Sequence, residues 1–197
     1  RLAVWSCPSD ETHIGGSCEA NNAQDNKGNY GLNWGTWTFA QQIERCSQPL
    51  LAPQDCRIAP FHLEFGASFR QITDGTSKTL ALMEMLQAPS DFGTPCDRRG
   101  RIWNDESGCY QIMARNSPNS SEPDRTRCVD RPDANLPCRN TGNNPTMEFV
   151  TSRSRHLGGV NVMLCDASVH FVTDSINLAT WMALATMAEG ELAQFPE

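Results

Sequence analysis

The chain has no long apolar run. The longest, Leu178 to Ala188, is broken by Thr180 and Thr186 and is too short to span a bilayer. It has no cluster of Lys or Arg, and the net charge is −7. A nucleic-acid partner is therefore excluded, because nothing replaces the phosphate counterions. No two cysteines stand in a Cys-x-x-Cys spacing, and none pairs with a histidine at finger spacing. That argues against a structural zinc site, and no metal ligands are assigned. There is no Gly-x-Ser-x-Gly, no His-Glu-x-x-His, no phosphate-binding glycine loop and no dinucleotide fingerprint. The four histidines, His13, His62, His156 and His170, are scattered. The expectation is a protein that is not an enzyme.

What is present is concentrated near the C-terminus. Gly158 and Gly159 open an alternating run, a polar turn follows at Asp166-Ala167, and alternation resumes to Val172. This is a β-hairpin signal. A turn at Asp166-Ala167 pairs Leu164 with Val169 and Val162 with Phe171, giving one apolar face. Ala167 then sits where a tight turn favours glycine at positive φ. Asp174 or Ser175 is placed to cap a final helix over 176–188, with Gly190 at its end. Such a helix packs on the sheet through Leu178, Trp181, Met182 and Ala185.

These segments resemble the signature of a prepilin-like, secreted family abundant in planctomycete bacteria. Its C-terminal motif is His, nine residues, then Asp-Gly; His156 and Asp166 match, and Ala167 replaces the glycine. Cys7-Pro8-Ser9-Asp10, Asn29 to Thr36, and Phe69 to Leu80 resemble three further family segments, in the family's order. Residues 178–186 resemble its final helix. The resemblance implies an exported, pseudopilin-like globular domain over 1–197. It also implies that the chain is the C-terminal portion of a subunit, with any membrane contact made by an apolar N-terminal helix absent from this sequence. Residues 79–86 suit helix or strand by composition and alternation. The resemblance favours strand.

Nine cysteines in a 21.8 kDa chain point to an oxidising compartment. Cys7, Cys18, Cys46, Cys56, Cys96, Cys109, Cys128 and Cys138 lie in polar segments without periodicity, which cross-links would support. The short closures Cys46–Cys56, Cys96–Cys109 and Cys128–Cys138 are expected, with Cys7–Cys18 by elimination. Cys165, inside the hairpin, is expected as a free thiol. Residues 87–148 form a long Pro/Asn/Arg/Asp-rich excursion. The fold expected is α+β: an antiparallel sheet around the C-terminal hairpin, a packed C-terminal helix and disulfide-stapled loops.

Several residues invite a chemical role. An extended strand rises about 3.3 Å per residue, so His156 and Asp166 stand roughly 20 Å apart and cannot share an ion. His156 then anchors the loop entering the strand, and Asp166 shapes the turn by bonding nearby backbone. Gly158 and Gly159 would be needed to fold the chain back. Glu84 either lies on the apolar face, with Arg155 or His156 as its partner, or reaches water at a strand end. Asp124, Asp130, Asp133 and Asn135 offer oxygens to calcium but lack the Asp-x-Asx-x-Asx-Gly loop. They read as a solvated acidic loop, so no cofactor is expected and calcium is the one ion in question. Trp34 and Trp37 are packing residues or a sugar-stacking platform.

Two functions follow. One is a structural or assembly protein: the globular head of an exported subunit in a surface filament or secretion apparatus, with partners of its own kind or other pilin-like subunits. The other is a cell-surface module that binds glycan or calcium, with a concave site lined by Trp34, Trp37 or Trp103.

Overall fold

A computed structural model describes residues 3–10, 26–40, 58–89, 96–102 and 104–190. The fold is α+β. One sheet carries it, with strands β1 (Tyr30–Asn33), β4 (Leu80–Glu84), β5 (Gln111–Ile112), β8 (Gly159–Leu164) and β9 (Val169–Thr173) in the order β5-β1-β4-β8-β9. All neighbours run antiparallel except β1 and β5. Two small two-stranded pairs flank it: β2 (Phe61–His62) with β3 (Phe65–Gly66), and β6 (Asp124–Thr126) with β7 (Cys138–Asn140). The segment 79–86 is a strand, and β4 sits at the centre of the main sheet.

The hairpin forms where alternation placed it, with its register displaced by one residue. Val160 pairs with Val172, Val162 with His170 and Met163 with Val169. The cause lies in the turn. Ala167 N–H donates to Leu164 O at 2.9 Å, and Ala167 itself takes φ +69°. A tight turn followed by a left-handed residue makes a three-residue loop rather than a two-residue one. A one-residue shift sends every β9 side chain to the opposite face. Val172 is therefore buried, while Val169 (68% exposed) and Phe171 (47%) face outward. The expected pairs Leu164–Val169 and Val162–Phe171 do not form.

A bulge between Leu80 and Leu82 does the same to β4. Leu80, Met83 and Met85 join the main core, and Leu82 and Glu84 do not. The C-terminal helix, Leu178–Leu184, starts two residues later than expected. Its cap is Asn177, whose side chain accepts from Ala179 N–H and Thr180 N–H. Trp181, Leu184 and Ala185 pack it against Val160, Val162 and Val172, whereas Leu178 is exposed. Asn33 ties sheet to helix: its Nδ2 donates to Leu80 O (2.7 Å) and Ala185 O (3.0 Å).

The excursion is held from within by buried charge. Arg99 donates to both Asp97 oxygens (3.1 and 2.8 Å) and to Asp124 Oδ2 (3.0 Å). Arg153 donates to both oxygens of the same Asp124 (3.3 and 3.2 Å) and to Ser120 O and Glu122 O. Two cations and two anions cancel, and each arginine also satisfies backbone carbonyls, as buried charge requires. Asp124 is thus fully committed, and among the described residues the aspartates do not gather closely enough to share calcium. Asp130 instead accepts from Cys138 N–H at 2.8 Å. Lys27 closes the first loop of the excursion, its Nζ donating to Ala88 O, Asp97 O and Arg99 O at 2.6, 2.7 and 3.0 Å.

Cys128–Cys138 is a disulfide, as expected from spacing. Cys109 and Cys7 are free, so the pairs Cys96–Cys109 and Cys7–Cys18 do not form. Cys96 is disulfide-bonded elsewhere. Cys165 is a free thiol. Cys18, Cys46, Cys56 and Trp103 lie outside the described residues. Trp34 is buried and stacks on Phe39 and His62 at 5.2 and 5.4 Å, so it packs rather than offering a platform with the exposed Trp37.

Two outcomes follow. Ala167 is strained by its positive φ, so Ala167→Gly should raise stability by about 0.5–1 kcal/mol in urea titration, net of glycine's greater unfolded freedom. The second concerns alkaline pH. Burial pulls Lys27 down to about 8, so between there and its unfolded value of about 10.4 the unfolded chain holds more protons and this group makes stability rise with pH. Burial pushes the Cys109 thiol up to about 12, so the unfolded chain sheds that proton first and stability falls above about pH 8.5. The two oppose each other. In Cys109→Ala the urea midpoint should climb more between about pH 8 and 10 than in the parent chain.

Candidate functional site

The residues singled out by the sequence separate into two groups at the two ends of β8. At the far end, Asp166 Oδ1 accepts from Ser168 N–H (2.9 Å) and Ser168 Oγ–H (2.6 Å). Those bonds hold its carboxyl below the usual range. Asp166 therefore shapes the turn. Asp166 N–H and Cys165 N–H donate to Thr76 O and Thr79 O, fixing the 73–79 segment against the hairpin. Asp74 in turn accepts from Glu189 N–H and Gly190 N–H, fastening the chain just past the helix.

At the near end, the chain is folded back. Gly158 has φ +81°, and a Cβ on Gly159 would strike Val172 O and the Phe171 ring. Both glycines are required here, one for its dihedral and one for its lack of a side chain. The turn brings His156 over β4. Its Nε2 lies 3.0 Å from Glu84 Oε1, and Asn161 N–H donates to Glu84 Oε2 at 2.6 Å. Glu84 is buried, and its partner is His156. Arg155 goes elsewhere, to Asp10 Oδ1 at 3.5 Å. His156 is positioned in its own right, its N–H donating to Ser154 Oγ, which donates onward to Gly159 O.

A third side chain meets them. Cys7 Sγ lies 3.5 Å from His156 Nε2. Cys7 N–H donates to Asn29 Oδ1 at 2.9 Å, while Asn29 Nδ2 donates to Asp10 Oδ2 at 2.6 Å and to Met85 O. Asp10 Oδ2 also accepts from Gln87 N–H. The short N-terminal segment is thus laid on the end of β4 by Cys7, Asp10 and Asn29. Burial pushes the Cys7 thiol up, with Glu84 adding to the rise. Cys7, Glu84 and His156 form the one cluster among the described residues whose ligand atoms all lie within 4.8 Å of one another.

Sequence reading placed His156 and Glu84 here and missed Cys7, which it had assigned to a disulfide. No spacing rule links positions 7, 84 and 156. The signal that the sequence offered was the resemblance of Cys7-Pro8-Ser9-Asp10 to a family segment.

The family model described as "Protein of unknown function (DUF1559)" matches residues 1–179. The chain belongs to that family. No curated protein and no solved structure matches it. The match spans all three contributors to the cluster, since Cys7, Glu84 and His156 lie within it. No helix among the described residues is long and apolar enough to cross a membrane, and the Cys128–Cys138 disulfide is consistent with an exported family member.

His156→Ala removes the partner of a buried carboxylate and frees the loop before β8. It should lower stability by about 1–3 kcal/mol in urea titration. Arg155→Ala, which breaks a longer 3.5 Å contact made by a partly exposed side chain, should cost less than His156→Ala in the same measurement.

Proposed function

We propose that this domain is the globular head of an exported, pseudopilin-like subunit that assembles at the cell surface. The observation that carries this reading is the exposed apolar surface around β8 and β9. β9 is the edge strand of the sheet, and it turns Val169 and Phe171 outward. Leu157, beside His156, is fully exposed at 100%, and Leu178 is exposed as well. Apolar residues on a sheet edge invite pairing with a neighbour unless something covers them. Leu157 and Val169 stand at opposite ends of the hairpin, which suits a head-to-tail contact. Such contacts propagate when the rotation does not close. The family segments support the reading in a second way: Asp10, Asn29, Asn33, Asp74 and Asp166 all fasten one part of the chain to another.

A groove of about 420 Å³ lined by Trp34, Phe61, Phe65, Tyr110 and Gln111 favours a second reading, a ligand-binding module. The two readings separate in solution. The assembly reading expects concentration-dependent association in light scattering, burying roughly 1,000 Å² or more per contact. Leu157→Ser and Val169→Lys should each weaken it about tenfold or more without changing stability by more than about 0.5 kcal/mol. A chain that stays monomeric at high concentration would favour the groove instead.

A further inference from the structure

We propose that Cys7 Sγ, Glu84 Oε1 and His156 Nε2 bind a zinc-class divalent ion, with water in the fourth position. The proposal does not depend on the assembly reading.

Three observations support it. The first is convergence. Glu84 and Cys7 both approach Nε2 of His156, at 3.0 and 3.5 Å, rather than taking opposite nitrogens of the ring. A nucleophile relay places its carboxylate and thiol on different ring nitrogens. A shared ion draws all three ligand atoms to one point. The second is spacing. An ion held tetrahedrally at about 2.3 Å from sulfur and about 2.0 Å from nitrogen and oxygen separates sulfur from nitrogen by about 3.5 Å and nitrogen from oxygen by about 3.3 Å. The two separations from Nε2, 3.5 Å to sulfur and 3.0 Å to oxygen, match these values with a slight opening on the Glu84 side, and sulfur and Oε1 lie within 4.8 Å of each other. The third is the frame. Asn161 N–H holds Glu84 Oε2 and leaves Oε1 pointing at the cluster, and Asn29 fixes the Cys7 backbone. Fixed outer partners of this kind orient metal ligands. The His156 side chain is 28% exposed, so water reaches the fourth position.

A thiolate, an imidazole and a carboxylate favour zinc over magnesium or calcium, which take oxygen ligands. On binding, the Cys7 thiol gives up its proton to solvent, and His156 carries its remaining proton on Nδ1. The ion would link three separate pieces of chain: the N-terminal segment, β4 and the loop before β8.

The test uses the full chain with its disulfides intact, stripped with chelator and titrated with cobalt(II) alone. The expected result is a thiolate-to-cobalt charge-transfer band that saturates at one equivalent and is displaced by zinc. The band should be absent in Cys7→Ser and present in Cys109→Ser and Cys165→Ser. Glu84→Gln should weaken cobalt binding about tenfold or more. Should a variant fail to fold, the parent chain still decides the matter: zinc should protect Cys7 from alkylation and leave Cys165 labelling unchanged. No charge-transfer band in the folded parent chain, a band that survives Cys7→Ser, or equal Cys7 labelling with and without zinc would each overturn the proposal.

Discussion

Asp124, fully buried between two arginines, is the constraint on which the rest of the molecule rests. Among the described residues between β4 and β8 there are only three short strands and one short 3-10 turn. Such a stretch buries little apolar surface of its own, so its shape must come from polar contacts with fixed geometry. Arg99 reaches Asp124 from one side and Arg153 from the other, and both also grip backbone carbonyls. The effect extends past the excursion. Arg153 N–H and Ser152 Oγ–H both donate to Glu84 O, so the segment leading to His156 is registered on β4. A buried network of this kind contributes modestly to net stability, since desolvation offsets most of its attraction, while loss of one member costs about 3–5 kcal/mol. Its main contribution here is to fix one arrangement.

Elements with local causes were legible in the sequence. The hairpin followed from alternation, the central strand from resemblance, and the final helix from its apolar spacing. The errors came where a single residue changed the count. Left-handed Ala167 lengthened the turn and exchanged the faces of β9; the bulge after Leu80 exchanged the faces of β4. Neither has a local signal strong enough to outweigh the pattern that it interrupts. The cysteine pairs failed for a different reason. Proximity in sequence identified Cys128–Cys138, yet Cys109 lies in a buried pocket of charge and Cys7 was already committed to the sheet end. That Glu84, if buried, needs a partner was legible, with Arg155 or His156 to fill it; the fold decides for His156. Their companion, Cys7, comes from a segment with no periodic relation to either.

The polar segments that the sequence singled out have one physical character in this chain. Asn29 bridges Cys7, Asp10 and Met85; Asn33 bridges Leu80 and Ala185; Asp74 fastens the segment just past the final helix; Asp166 shapes a turn. Short amide and carboxylate side chains suit these positions because they reach nearby backbone groups with little rotamer freedom to lose. A fold fastened at a few such points tolerates changes in the length of the loops between them.

Lys27 gives that tolerance a location. Its single ammonium binds the carbonyl of Ala88, where the chain departs, and those of Asp97 and Arg99, where it returns. The two ends of that loop are clasped whatever lies between them. Lengthening a closed loop costs only about 0.6 kcal/mol for each doubling. An insertion between Ala88 and Asp97 therefore meets two ends already pinned by one cation.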